Sequence, residues 1–223
     1  MLLLVTDTSG KHGCVALARS QPEGVELIES VPLAGGTFSA QLVPQIAALL
    51  EKHGFRKTNI DAFVVVSGPG SFTGLRVGLA AIKALAEILR KPIVPVTLLE
   101  VIAVSSGVRG KVMAALDAGR GEIYAAEYDV GDDGARLVNE RMLGKNELVA
   151  IDLGLQVLTP DDLVANALRE HGLPVVHVPQ PTAQAVARLG QRKLEEGSTV
   201  TPEQLEANYI RRSDAEILAK SSS

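Results

Sequence analysis

The sequence predicts an α/β protein of two related lobes, and three observations carry that prediction. Apolar runs of strand length alternate with segments of helical period. A glycine-rich stretch, SGPGSFTG at residues 67–74, joins one apolar run to a long helical segment. The pattern of strand, aspartate, small residues and strand occurs twice, as LLLVTDTSGKHGCVALA and VMAALDAGRGEIYAAEY, so that Asp7 and Asp117 occupy matching places.

The elements follow in order. Residues 2–5 read as a short buried strand, residues 6–13 as a polar turn, residues 14–19 as a second strand and residues 25–33 as an alternating third. Residues 39–52 are a helix that stops at His53-Gly54, with Pro44 kinking it or marking its first turn. DAFVVVS, at 61–67, is continuously apolar, as a central strand covered on both faces must be. A helix over 74–91 ends at Pro92, and IVPVT is the next strand. A three-stranded meander extended by further strands suits a ribonuclease-H-like lobe. The second lobe starts again with strands at 112–116, at IYAAEY and at 136–143. Helices at 162–171 and 182–196 and the strand PVVHVP follow. Thr201-Pro202-Glu203-Gln204 has the chemistry of a capping box and predicts one more helix start. SSGVRGK at 105–111 has linker composition, which sets the lobes at 1–105 and 106–223, with the last residues free to return to the first lobe.

Composition narrows the function. Hydrophobic residues make up 46% and aromatics 3%, so the core is aliphatic. The formal net charge of −4, from 22 basic and 26 acidic residues, argues against an independent grip on nucleic acid, which needs clustered cations. The densest basic groups are short, at 188–193 and at Arg211-Arg212. A single cysteine, Cys14, forms no disulfide within the chain, and no leader or spanning segment is read, so a cytoplasmic protein is expected. The tail Ser221-Ser222-Ser223 is expected to be disordered.

The glycine stretch admits two readings. A loop that leaves a strand and opens a helix offers free N–H groups to an anion, which makes Ser67, Gly68, Gly70, Ser71, Thr73 and Gly74 candidate nucleotide contacts. It is neither a Walker loop nor a dinucleotide fingerprint, and a tight turn for strand–helix packing explains it equally. Asp7 and Asp117 could orient a metal or water at the same cleft, or could cap the turns that follow them. His12, His53, His171 and His177 have no ligand spacing, and Cys14 reads as a strand residue.

The helix after the loop is apolar over most of its circumference, with Arg76, Lys83, Glu87 and Arg90 in one narrow stripe. Such a helix calls for burial on two sides. We expect a protein interface made by Leu42, Val43 and Ile46 of the first helix with Leu75, Leu79, Ile82, Leu85 and Leu89 of the second, and packing of these helices within the chain is the alternative.

SGPGSFTGLRVGLAAIKALA, together with LLLVTDTS, resembles the TsaB family, the bacterial partners of the tRNA threonylcarbamoyl transferase TsaD. Residues 117–124, DAGRGEIY, resemble that family's DARRGEVY segment, and Tyr209-Ile210-Arg211 resembles its YLR. Two departures stand out: Phe38-Ser39-Ala40 replaces the family's His-Ser-Glu, and Gly119 replaces a basic residue. The resemblance implies an actin-like (ASKHA) fold of two ribonuclease-H-like lobes. It implies a non-catalytic subunit, required with TsaD and the ATPase TsaE, for transfer of the threonylcarbamoyl group to N6 of the tRNA adenosine beside the anticodon. Metal ligands belong to TsaD, no cofactor is tightly bound here, and ATP or ADP with Mg enters at the level of the complex. The implied partners are TsaD, TsaE and a second copy of the chain, with tRNA met only indirectly and no membrane. The alternative is an ATP-binding or ATP-hydrolysing enzyme of the actin-like superfamily.

Overall fold

The computed structural model describes residues 1–144, 147 and 154–210. Arg211, Arg212 and the serine tail lie outside the described residues.

Two five-stranded sheets share one topology. In the first, β1 (Leu2–Asp7), β2 (His12–Gln21) and β3 (Gly24–Ala34) form an antiparallel meander. β4 (Ala62–Gly68) and β5 (Ile93–Thr97) extend it in parallel beyond β1, giving the order β3-β2-β1-β4-β5. The second sheet repeats this with β6 (Gly110–Gly119), β7 (Glu122–Gly131), β8 (Gly134–Leu143), β9 (Gln156–Thr159) and β10 (Val175–His177). Its order is β10-β9-β6-β7-β8, with the same antiparallel and parallel pairings. Each lobe is ribonuclease-H-like, and the pair makes the actin-like fold.

Strand alternation assigns the layers. Leu2, Leu4, Phe63 and Val65 point to α1 (Phe38–Lys52) and α2 (Phe72–Leu89). Leu3, Val5, Val64 and Val66 point the other way, to α5 (Ala183–Glu195). In the second sheet, Val112, Ala114 and Tyr128 pack on α3 (Leu98–Ser105), while Met113, Ala115 and Val157 pack on α4 (Asp162–Glu170).

The helix α3 does not emerge from the sequence, where the apolar run LLEVIAV merges with the strand before it. It lies between the lobes. Val101 enters the core of the first sheet, while Leu99, Ile102 and Ala103 enter the core of the second. Thr97 caps it by accepting from the Glu100 amide at 3.1 Å. Lys193 of α5 donates to Glu100 at 2.6 Å.

The chain also returns to its first lobe earlier than the last few residues. α5 packs across β1 to β5, at residues 183–195, and is closest at Gly190. A Cβ on Gly190 would lie 2.4 Å and 2.5 Å from the two methyls of Val64. Gly190→Ala is therefore expected to destabilise by about 2 kcal/mol even after its gain in helix propensity, lowering Tm by roughly 4–8 °C. Val64→Ala in the same chain should recover part of that loss, as read by thermal unfolding.

Residues 201–204 make only a turn. The capping-box bonds do form, Thr201 N to Gln204 Oε1 at 3.0 Å and Gln204 N to Thr201 Oγ1 at 3.4 Å. No helix follows, because Leu205 is drawn into the first core and the Asn208 amide into a bond with the Ser67 carbonyl. Pro44 falls in the second turn of α1.

Candidate functional site

A cleft of about 1110 Å³ opens between the lobes. Its first-lobe wall carries the β1–β2 turn at Ser9–Lys11 and the β4–α2 loop, and its second-lobe wall carries the β6–β7 turn with Asp117 and Arg120.

The β4–α2 loop is shaped by packing. The β1–β2 turn lies directly on it, and the glycines exist where that turn comes closest. A Cβ on Gly70 would sit 2.2 Å from the Ser9 carbonyl oxygen, one on Gly74 2.2 Å from the Thr8 carbonyl oxygen, and one on Gly78 2.1 Å from Thr8 Oγ1. The donors expected to face an anion are partly spent. Ser71 N–H donates to the Ser9 carbonyl at 2.6 Å, and Gly74 N–H donates to Ser71 Oγ at 3.3 Å as the N-cap bond of α2. Phe38 is 4% exposed and covers Gly13 and Gly74.

Of the anion-contact residues expected from sequence, Gly70, Ser71, Thr73, Gly74 and Asp117 line the cleft, and three do not. Ser67 is buried and donates its hydroxyl to the Val96 carbonyl at 3.2 Å. Gly68 is covered by Asn208, whose carbonyl oxygen lies 2.6 Å from where its Cβ would be. Asp7 accepts from the Ser9 amide at 2.8 Å and the Ser9 hydroxyl at 2.6 Å. Burial pushes the Asp7 carboxyl up, and the bonds from Ser9 oppose this. Asp117 caps its own turn in the same way, accepting from the Gly119 amide at 2.8 Å. The repeated aspartates thus hold repeated turns. Cys14, beside Asp7, has its thiol pushed up to about 11 by burial first and the Asp7 charge second.

The interface residues divide as well. Leu42, Ile46, Leu75, Leu79 and Ile82 are each at most 6% exposed and belong to the core of this chain's own first lobe, so they present no surface to a partner. Helical period explains the correction: residues facing the sheet recur every three to four positions, and these five are on that side. Leu85 and Leu89 are half-buried, and Val43 is exposed. The opposite side of α2 is apolar but open, with Ala80, Ala84 and Ile88 exposed, Ile88 at 70%. On α1 it continues through Ala40, Val43, Pro44 and Ala47. α2 is thus buried on one side within the monomer, and its second apolar face is bare.

Other residues at the cleft mouth escaped the sequence. Arg76 lies 3.6 Å over the Phe72 ring and donates from Nε to the Tyr209 hydroxyl at 3.2 Å, and Tyr209 packs on Phe72 with centroids 5.0 Å apart. The i,i+4 spacing of Phe72 and Arg76 hinted at the first contact. Nothing local signals the bonds from Asn208 Nδ2 to Glu140, whose carboxyl is raised by burial and lowered by that contact.

Residues 32–193 match the family model described as TsaD, tRNA N6-adenosine threonylcarbamoyltransferase. The chain is 30% identical over 193 residues to the Escherichia coli tRNA threonylcarbamoyladenosine biosynthesis protein TsaB, covering 78% of this chain and 81% of that one. It is 28% identical over 230 residues to the Bacillus subtilis protein of the same name, covering 97% and 96%. Among solved structures, an uncharacterized Pseudomonas aeruginosa protein with similarity to peptidase YeaZ superposes with a TM-score of 0.76 at 25% identity, over 94% of this chain and 99% of that one. On this evidence the chain belongs to the TsaB family, within the wider TsaD family.

Proposed function

We propose that this chain acts in tRNA threonylcarbamoyladenosine biosynthesis as a non-catalytic subunit that docks on a TsaD-type transferase. The observation that carries the reading is the bare apolar face of α1 and α2. Two adjacent helices expose Val43, Ala47, Ala84 and Ile88 to water, while the residues beneath them already fill the core. The name shared by the curated relatives supports the pathway. Three of the four histidines have local partners: His53 pairs with Glu29, His177 with Asp162, and His171 with the Ala167 carbonyl. TsaE joins the assembly, ATP or ADP with Mg acts there, and tRNA reaches this acidic chain through its partner. A second copy would compete for the same face and give a homodimer. Mixing the purified protein with the TsaD of the same cell and separating by size is the test. A 1:1 complex that supports tRNA modification is expected. Two separate peaks with modification unimpaired would overturn the reading.

A second reading rests on the cleft, where Lys11, Asp117 and Arg120 line opposing walls. In it the chain binds ATP by itself. Calorimetry with ATP and Mg²⁺ on the isolated protein decides this, and silence at millimolar nucleotide excludes it.

A further inference from the structure

The residues that follow Leu205 touch both lobes in turn, and Asn208, Tyr209 and Ile210 among them line the cleft. Leu205 is 1% exposed in the core of the first lobe. The Asn208 amide donates to the Ser67 carbonyl at 2.8 Å, at the end of β4 in the first sheet. The Asn208 side chain reaches the other way, its Nδ2 donating to both carboxylate oxygens of Glu140 on β8, at 3.0 and 2.9 Å. Tyr209 returns to the first lobe, against Phe72 and Arg76 of α2. Ile210 packs on the core of the second lobe.

We propose that Leu205–Ile210 is an interlobe clasp, with Asn208 bridging Ser67 and Glu140 and so holding the cleft at one fixed opening. The chemistry of the bridge is specific. A carboxylate accepts and does not donate, so its partner must bring donors without adding negative charge, and an asparagine amide does both. The first sheet supplies a carbonyl at the matching distance because β4 ends at Gly68. That glycine, at φ +143°, has no side chain to push the Asn208 carbonyl away. A further attachment between the lobes is α3, packed into both cores, beside the Thr97–Tyr128 contact and Arg192 of α5 lying against Gly134 of β8. A body held by a helix and a clasp has lost the hinge freedom with which two-lobed proteins close on a ligand. This inference does not depend on which partner covers α1 and α2.

The test uses the full chain with spin labels on Glu51→Cys of α1 and Glu170→Cys of α4, in a Cys14→Ala background. Both label positions are exposed. Pulsed dipolar spectroscopy should give one narrow distance distribution for the parent. Asn208→Asp places a carboxylate against Glu140 and is expected to widen the distribution about twofold. The Asn208→Asp/Glu140→Gln double variant restores a donor facing an acceptor and should narrow it again. If Asn208→Asp does not fold, Gly68→Ala opens the clasp from the other side and takes its place. An unchanged distribution in the opened variant overturns the proposal. So does a widening by Asn208→Asp that the double variant fails to reverse, since the bridge would then not be the cause. The TsaD mixing experiment reads a different face and separates failure of the clasp from failure of the docking reading.

Discussion

Gly74→Ala is expected to destabilise the protein by about 3 kcal/mol, lowering Tm by roughly 6–12 °C. Position 74 is helical, so alanine would ordinarily be favoured there by about 1 kcal/mol. The loss comes from the Thr8 carbonyl oxygen, 2.2 Å from the new methyl, with the Phe38 ring closing the other side at 3.2 Å. A backbone atom in the β1–β2 turn cannot rotate away. Gly78→Ala provides the control. Its methyl would meet Thr8 Oγ1 at 2.1 Å, a side-chain atom, so the Thr8→Ala/Gly78→Ala double variant should regain most of the loss. Thr8→Ala should leave Gly74→Ala unrescued. Thermal unfolding of the four variants reads this directly. If the loop were instead a phosphate cradle free of packing constraint, both glycine variants would unfold near the parent temperature.

Ile88→Asp is expected to weaken the complex with TsaD by at least about 30-fold, the effect of losing roughly 2 kcal/mol at an apolar anchor. Its own stability should change by less than about 0.5 kcal/mol, because the side chain is 70% exposed. Ile82→Asp, less than two turns away on the buried side, should unfold the first lobe, since an isolated carboxylate would replace a fully buried side chain. The two variants separate docking from folding, which Leu79→Asp could not do because Leu79 is 6% exposed. Titration of labelled protein against TsaD, with a melting curve for each variant, distinguishes them. An Ile88→Asp variant that binds as tightly as the parent would remove the α1–α2 face from the interface.

Much of this architecture is written in local pattern. The apolar runs at residues 2–5 and 61–67, the stop at His53-Gly54 and the repeat of Asp7 at Asp117 give the strands, the helix ends and the duplicated lobes. Each of these depends on neighbours within a few residues, where backbone sterics and period decide. The same holds for the apolar character of α2, which extends over more of the helix than one sheet covers.

Which side faces which partner is a tertiary matter. Composition alone could not separate Ile82, in the core, from Ile88, in water, because the difference is the direction from which the sheet approaches. The glycine stretch carries the same lesson. Its sequence fits an anion cradle and a packing loop equally. The fold supplies the packing: Thr8 and Ser9 lie on Gly70, Gly74 and Gly78, and the Ser71 amide turns to the Ser9 carbonyl. Asn208 and Glu140 stand 68 residues apart and neither is unusual in its own segment. Their pairing exists because the two sheets bring the end of β4 and a residue of β8 within reach of one side chain, and a contact of that range leaves no trace in local sequence.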